Sequence, residues 1–190
     1  TGHRNAHFLS SATAGLHLAV KIFKMKYDWK EDDEIISTPM TFVSSNHAIA
    51  YENIKIKFAD VDEFLCLDPK SVRKQITDKT KAILFVGLGG NTGKLEEIME
   101  ICKEFDLKLI LDAAHMAGTR FNGETPGIKA DCTVYSFQAV KNLPTADSGM
   151  ICFTDKEDDE VCRKLAWLGI NKDTYARTNE KGNYKWKYDV

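Results

Sequence analysis

Short runs of apolar residues alternate along this chain with longer segments in which apolar positions recur every three or four residues. Runs of roughly four to eight residues rich in aliphatic and β-branched side chains are typical of buried strands. They predict strands over residues 34–37, 54–61, 81–87, 107–112, 132–137 and 150–154. The longer segments have the spacing of amphipathic helices, in which one stripe of side chains faces a core.

The helical spacing is found in five segments. The first helix is expected to begin after a cap at Ser10 or Ser11. Its apolar stripe comprises Leu16, Ala19, Val20 and Phe23. A later helix is expected to begin at Asp68-Pro69, because proline suits a first helical turn, and to end near residue 76. The others are expected over residues 43–51, over 156–168 and around the stripe Leu95, Ile98, Cys102 and Phe105.

This alternation of strands and helices predicts the fold class. Strands that follow one another through helices usually pair in parallel, and the sheet they form is covered by helices on both faces. We therefore expect a three-layer αβα domain of the α/β class with a mainly parallel sheet. In such sheets ligands bind beyond the carboxyl ends of the strands, so the polar residues found there are the candidates for chemistry.

Composition excludes several other classes of function. The 190 residues carry a formal net charge of −2, which gives no electrostatic argument for binding nucleic acid or an anionic membrane. No apolar run approaches the roughly 20 residues that span a bilayer. The five cysteines are scattered and include no C-x-x-C pair, which predicts reduced thiols in the cytoplasm and no metal site.

The predicted strand over residues 107–112 ends with Asp112, followed by two alanines and a histidine in the run LILDAAHMAG. A carboxylate here can face a protonated pyridine nitrogen. Ala113 and Ala114 leave room for a flat ring, and His115 is placed to meet a polar substituent on it. A strand-end aspartate more often caps a helix or binds a basic side chain, and a lone histidine is more often structural. His115 therefore matters only beside these neighbours.

The next predicted strand is followed by a lysine, in the run VYSFQAVKNL that contains Ser136, Gln138 and Lys141. A lysine amine can form an imine, and together with Asp112 it supplies the two groups that pyridoxal phosphate chemistry requires. An exposed lysine after a strand is usually a solvated charge. The otherwise apolar stretch would partly desolvate this amine, and the two residues each lie at a strand end, which favours the catalytic interpretation.

Two further segments suit other parts of the same cofactor. Residues 11–15 (SATAG) begin a helix with small side chains, and the backbone amides at a helix N-terminus bind phosphate. A plain capping motif explains these residues equally well. Phe42 could stack on a ring, although an isolated aromatic residue more often belongs to the core. Four glycines between residues 87 and 93 lack G-x-G-x-x-G spacing and are expected to serve a turn.

Together these motifs resemble the DegT/DnrJ/EryC1/StrS family of sugar aminotransferases, which are pyridoxal-phosphate-dependent enzymes of the aspartate-aminotransferase fold type I. The resemblance runs in family order through nearly the whole chain. It comprises residues 11–16 (SATAGL), 38–43 (TPMTFV), 90–98 (GNTGKLEEI), 111–118 (LDAAHMAG), 135–142 (YSFQAVKN) and 184–190 (YKWKYDV). The Asp-Ala-Ala-His and Ser-Phe-x-x-x-Lys stretches are its most specific parts.

The resemblance implies a role for each candidate site residue. Lys141 would hold pyridoxal 5'-phosphate as an imine, and Asp112 would pair with its pyridine nitrogen. The other implied cofactor-binding residues are Phe42 and Ala114 on the two ring faces, His115 near the phenolic oxygen, Ala12, Thr13 and Ser136 at the phosphate, and Gln138 on the lysine loop.

The resemblance also implies a reaction and its partners. Family members transfer an amino group from glutamate to a keto group of a nucleotide-linked deoxysugar, and the products serve lipopolysaccharide, capsule, antibiotic or glycan pathways. The expected partners are therefore glutamate, a nucleotide-sugar substrate and a second copy of the protein, because the family's sites are completed across a homodimer interface.

The chain departs from the family in two respects. Where the family usually has Gly-Glu-Gly-Gly, residues 146–149 are Ala-Asp-Ser-Gly. Family members are also far longer, so residues 1–190 are expected to be most of the large domain that binds pyridoxal phosphate, without an N-terminal segment and a small C-terminal domain. Two alternatives stay open. One is a sugar dehydratase of the same family, which Lys141 disfavours because a histidine replaces the lysine in that branch, and the other is a non-catalytic remnant.

Overall fold

The computed structural model describes residues 1–170, in which seven strands form one sheet between two layers of helices. The elements are β1 (Asn5–Leu9), α1 (Ala12–Tyr27), β2 (Glu34–Ser37), α2 (Ser44–Ala50), β3 (Lys55–Phe58), α3 (Pro69–Gln75), β4 (Thr80–Val86), α4 (Leu95–Glu104), β5 (Lys108–Asp112), β6 (Cys132–Ser136), β7 (Gly149–Phe153) and α5 (Lys156–Leu165). The motif at residues 184–190 that contributes to the family resemblance lies outside the described residues.

The sheet has the strand order β1-β7-β6-β5-β4-β2-β3. Strands β2 to β6 pair in parallel, whereas β7 is antiparallel to both of its neighbours, β6 and β1. The predicted three-layer αβα class with a mainly parallel sheet is therefore confirmed. Within the described residues, no helix is both long enough and apolar enough to cross a membrane.

Alternate side chains of each central strand enter two separate hydrophobic cores. In β4, Ala82 and Leu84 pack in the core formed with α1 and α2, while Ile83 and Phe85 pack in the core formed with α3 and α4. This alternation is the expected consequence of strand geometry, because successive side chains point to opposite faces of a sheet. The predicted stripe of α1 is buried, so the helix is fixed on the sheet along its length.

Three predicted boundaries are wrong for identifiable reasons. Strand β3 ends at Phe58 instead of residue 61, because the chain leaves the sheet and turns back to pair Val61 with Leu67 in an isolated bridge. Helix α5 ends at Leu165 instead of residue 168, and Leu168 has a φ of 62°, which is incompatible with a right-handed helix. Phe105, predicted on the buried stripe of α4, follows the end of that helix and is 41% exposed.

The N-terminus of α1 is held close to the sheet where β6 and β7 pair. Ser11 caps the helix, since its hydroxyl accepts a hydrogen bond from the Ala14 N–H at 3.1 Å. Gly149 begins β7 directly beneath this cap, and a Cβ there would lie 2.5 Å from the backbone nitrogen of Ala12. Only glycine therefore allows β7 to pass under the first turn of α1.

Gly149→Ala should destabilise the protein by about 1–3 kcal/mol, the range for overpacking, because the added methyl meets backbone that cannot rotate away. Urea unfolding followed by circular dichroism measures the loss. Gly15→Ala is the matched control, since its Cβ would meet the side chain of Val134 at 2.8 Å and alanine favours a helix interior. An equal or larger loss for Gly15→Ala would contradict the explanation.

Candidate active site

The carboxyl ends of β4, β5 and β6 open onto a cavity of about 420 Å³. Its volume falls within the roughly 300–1,000 Å³ of sites that bind small molecules. The first turn of α1, the segment before α2 and the loop over residues 137–148 complete its walls. All the predicted site residues line it, namely Ala12, Thr13, Phe42, Asp112, Ala114, His115, Ser136, Gln138 and Lys141. The fold therefore brings together residues that are far apart in the sequence.

Asp112 is the last residue of β5 and is buried at the floor of the cavity. Its Oδ1 accepts a hydrogen bond from the Ala114 N–H at 3.1 Å, and its Oδ2 accepts one from the Ser45 hydroxyl at 2.7 Å. Burial raises the pKa of Asp112, and these two hydrogen bonds offset part of the effect. Neither donor is cationic, so the carboxylate is complementary to a ligand that brings a positively charged N–H group.

Ser45 is a positioning residue for Asp112 that the sequence did not reveal. The hydroxyl of Ser45 has a single proton and two acceptors within reach, and it donates to the nearer one, the Asp112 carboxylate at 2.7 Å, in preference to the Phe42 carbonyl at 3.2 Å. Thr41 Oγ1 lies 2.8 Å from Ser45 Oγ and must then be the donor of that hydrogen bond. These two successive hydrogen bonds, from Thr41 to Ser45 and from Ser45 to Asp112, fix the orientation of the carboxylate. No local pattern could have indicated it, because Ser45 and Asp112 are 67 residues apart.

His115 and Lys141 are in direct contact on the cavity wall. Lys141 is half-buried, and its Nζ lies 2.9 Å from Nε2 of His115. The other ring nitrogen, Nδ1, accepts a hydrogen bond from the Gly89 backbone N–H at 3.1 Å. Burial lowers the pKa of His115, and a positive charge on Lys141 would lower it further. His115 is therefore expected to stay neutral at neutral pH.

The lysine loop is held at its base and along its length. The Phe137 N–H donates to the Ser148 carbonyl at 2.8 Å, directly after the paired residues Ser136 and Gly149. The side-chain amide of Asn142, next to Lys141, donates to the Ala117 carbonyl on the loop after β5. These contacts tie the loop that carries Lys141 to the loop that carries His115.

The first turn of α1 forms another part of the cavity wall. Backbone N–H groups in a first turn have no acceptor within the helix, and the helix dipole adds positive potential there. Ala12 and Thr13 present this turn to the cavity beside Ser136 at the end of β6. The small side chain of Ala12 leaves the backbone accessible. An anion such as phosphate suits this part of the cavity.

The remaining walls are mostly apolar. Ala114 lines one side of the cavity, and Phe42 lies at its mouth with 71% of its surface exposed. Leu88 and Val140 also line it, although neither was expected from the local pattern. Asp147 does so as well, at the position where the resembling family usually has glutamate. A flat, partly apolar ligand therefore suits the space between the polar groups.

The residues present fit pyridoxal 5'-phosphate. The buried carboxylate of Asp112 suits a protonated ring nitrogen, the amine of Lys141 suits an aldehyde, and the first turn of α1 suits the phosphate. Among the residues that the structure describes, no three histidine, cysteine or acidic side chains are grouped so that they could hold a metal ion.

Comparisons with known proteins identify the family. A sequence model of the DegT/DnrJ/EryC1/StrS aminotransferase family matches residues 1–187. The spore coat polysaccharide biosynthesis protein SpsC of Bacillus subtilis is 33% identical over 190 residues, which are 100% of this chain and 47% of SpsC.

Two solved structures give the same picture. PseC of Helicobacter pylori, an aminotransferase involved in the biosynthesis of pseudoaminic acid, superposes with a TM-score of 0.89 at 26% identity, over 100% of this chain and 48% of PseC. DesI, solved in the presence of its TDP-sugar product, superposes with a TM-score of 0.77 at 30% identity, over 86% of this chain and 41% of DesI. The chain spans about half the length of the curated relatives it matches.

Proposed function

This chain belongs to the DegT/DnrJ/EryC1/StrS aminotransferase family, and on that basis we propose that it forms most of the cofactor-binding large domain of a sugar aminotransferase. The enzyme would move the amino group of glutamate to a keto group of a nucleotide-linked deoxysugar, with pyridoxal 5'-phosphate as cofactor. The observation that carries the proposal is the single cavity that holds Asp112, Lys141 and the first turn of α1.

The cofactor, when bound, supplies an aldehyde that takes up the amino group and a ring that withdraws electrons from the reacting carbon. Asp112 would keep a proton on the ring nitrogen, which preserves that electron withdrawal. Its carboxylate is already oriented by Ser45 and Ala114, so little reorganisation is needed when the ligand binds.

Lys141 would have two tasks. Its Nζ would hold the aldehyde carbon covalently, and once released it would be the base that moves a proton between the two reacting carbons. The contact with His115 at 2.9 Å and the anchored loop keep the amine in one position. The first turn of α1 and Ser136 would bind the phosphate and thereby orient the ring over Lys141.

The substrate class rests on the relatives. SpsC acts in the biosynthesis of a spore coat polysaccharide, and DesI was solved with a TDP-sugar product. We extend a sugar-nucleotide substrate and a place in polysaccharide, lipopolysaccharide or glycan synthesis to this chain by analogy, and glutamate as donor from the family resemblance. A homodimer is proposed on the same basis. The five cysteines are all free and buried, which supports a reducing compartment such as the cytoplasm.

The proposal predicts that the full-length protein, mixed with pyridoxal 5'-phosphate, acquires a visible absorbance band that glutamate abolishes with release of 2-oxoglutarate. Addition of a nucleotide-4-keto-6-deoxysugar should then restore the band and yield an aminosugar detectable by mass spectrometry. The 190-residue segment is the control and should be inactive or nearly so, because part of each site would be missing.

Each step separates the proposal from an alternative. Full-length protein with no visible band would indicate a remnant that does not bind the cofactor. A band with loss of a hydroxyl from the sugar and no transfer of nitrogen would indicate a dehydratase. Robust turnover by the segment as a monomer would contradict both the homodimer and the large-domain assignment.

A further inference from the structure

In the hydrogen bond between Gly89 and His115, the donor and the acceptor cannot be exchanged. Gly89 lies in the short 3₁₀ turn after β4, and its backbone nitrogen is 3.1 Å from Nδ1 of His115. A backbone N–H is only a donor, so Nδ1 must be the acceptor and cannot itself carry a proton. A neutral imidazole has one proton, which then resides on Nε2, the nitrogen that faces Lys141 at 2.9 Å.

We propose that the backbone N–H of Gly89 is a positioning group that fixes His115 in its Nε2–H tautomer, which makes His115 a hydrogen-bond donor toward Lys141. The inference deepens the proposed function, on which it rests for its role in the reaction, but the contacts themselves are observed independently of that function. Gly89 is not among the residues that line the cavity and acts through His115.

The alternative arrangement conflicts with the same contacts. If the Lys141 ammonium donated to Nε2, the ring proton would have to move to Nδ1, where it would face the Gly89 N–H. Two donors would then meet at 3.1 Å. The geometry is satisfied when Lys141 presents the lone pair of its amine to Nε2–H. The amine with a free lone pair is also the form that attacks a carbonyl carbon.

The turn that carries Gly89 is fixed on both sides, so its N–H has little freedom to swing away. The Gly87 N–H donates to the Asp112 carbonyl at 3.0 Å, before the turn, and Thr119 Oγ1 donates to the Gly90 carbonyl at 3.2 Å, after it. Gly89 itself has a φ of 63°, which a glycine adopts without strain. The hydrogen bond from Gly89 to His115 therefore depends on the packing of the loop after β5 against the loop after β4.

The lowered pKa of His115 agrees with this arrangement. Protonation would place a second proton on Nδ1, against the Gly89 N–H. In an occupied site the same Nε2–H would be available to any acceptor atom at this position, and a phenolic or carbonyl oxygen is the class of acceptor it suits.

Nitrogen NMR tests the proposal without any measurement of activity. Full-length protein with ¹⁵N-labelled histidine and glycine, free of cofactor, should show His115 with a bare Nδ1, a protonated Nε2 and a scalar coupling across the hydrogen bond between Gly89 N and His115 Nδ1. His115→Gln assigns the signals by their loss, and the other histidines report whether the fold is intact. A proton on Nδ1, or no coupling with an intact fold, would overturn the proposal.

Two variants identify the group that sets the tautomer. Lys141→Ala should leave the His115 signals in the Nε2–H pattern, because the Gly89 N–H remains. A semisynthetic protein with an ester in place of the amide between Leu88 and Gly89 lacks that N–H and keeps every side chain, and His115 should then show a mixture of tautomers. An unchanged single tautomer in the ester protein would assign the preference to another group. Because these spectra require neither cofactor nor turnover, their outcome is independent of the aminotransferase assignment.

Discussion

Asp112→Asn in the full-length protein should retain pyridoxal 5'-phosphate and lose amino transfer by about 10²–10³-fold or more. The neutral amide can still form hydrogen bonds in the place of the carboxylate, but it cannot hold a proton on the ring nitrogen. The first turn of α1 and Lys141 are untouched, so the cofactor should still bind. Turnover with glutamate and a keto-sugar nucleotide, measured beside the visible spectrum, checks both halves of the prediction.

Stability distinguishes this role from a structural one. Burial raises the pKa of Asp112, so the ionised carboxylate disfavours the folded, cofactor-free protein as the pH rises above the ordinary carboxyl pKa. Asp112→Asn removes that charge, and the cofactor-free variant should unfold at an equal or higher urea concentration at neutral pH. Near wild-type turnover would instead show that Asp112 is structural.

Asp131→Asn is the matched control. Asp131 lies at the other end of the sheet, just before β6, where its Oδ2 accepts from the Leu109 N–H at 2.9 Å and its Oδ1 pairs with Lys108 at 3.1 Å. Loss of its charge should lower the urea midpoint and leave turnover by the folded enzyme unchanged. The two aspartates should thus give opposite results in the same pair of measurements.

Lys141→Arg should abolish covalent attachment of pyridoxal 5'-phosphate and reduce amino transfer by about 10²–10⁴-fold, the usual effect of losing a positioned acid–base group. Arginine keeps the positive charge but has no amine that can bind an aldehyde carbon. Borohydride reduction of the loaded wild-type protein, followed by peptide mapping, should place the cofactor label on Lys141, and the same treatment of the variant should give no label.

Lys156→Arg provides the comparison for that experiment. Lys156 begins α5 and is exposed, where its Nζ lies 3.1 Å from Glu160. This variant should keep both the label and the turnover of the wild-type protein. A label on any other lysine would contradict the assignment of Lys141.

Much of the fold could be predicted from the sequence, because the spacing of apolar residues within one segment largely decides whether that segment forms a helix or a strand. The cap at Ser11 and the buried stripe of α1 depend on helical spacing alone. The strand that ends at Asp112 can likewise be recognised from its own apolar residues, whichever strands pair with it. The residues of the site were found because Asp112 and Lys141 have chemistry that few other roles require, and the family resemblance then supplied the rest.

What the sequence did not reveal depends on contacts between distant segments. Strand β1 was missed because its only strand partner in the described sheet is β7, with Asn5 opposite Phe153, and its own side chains are mostly half-buried. Ser45 and Gly89 were missed for the same reason. A serine in a helix and a glycine in a turn are both explained by local structure alone. Only the folded chain shows that each donates a hydrogen bond to a site residue.

The position of β7 in the sheet has a consequence for synthesis of the protein. It is the last strand of the described chain, yet it lies between β1, the first, and β6. In a chain still on the ribosome and ending before residue 149, the edges of β1 and β6 that face β7 have no partner, and unpaired strand edges are templates for aggregation. Insertion of β7 closes both edges and brings Gly149 under the first turn of α1. Nascent chains should accordingly need protection from one another until that strand has emerged, and the first turn of α1 should be held against the sheet only at the same moment.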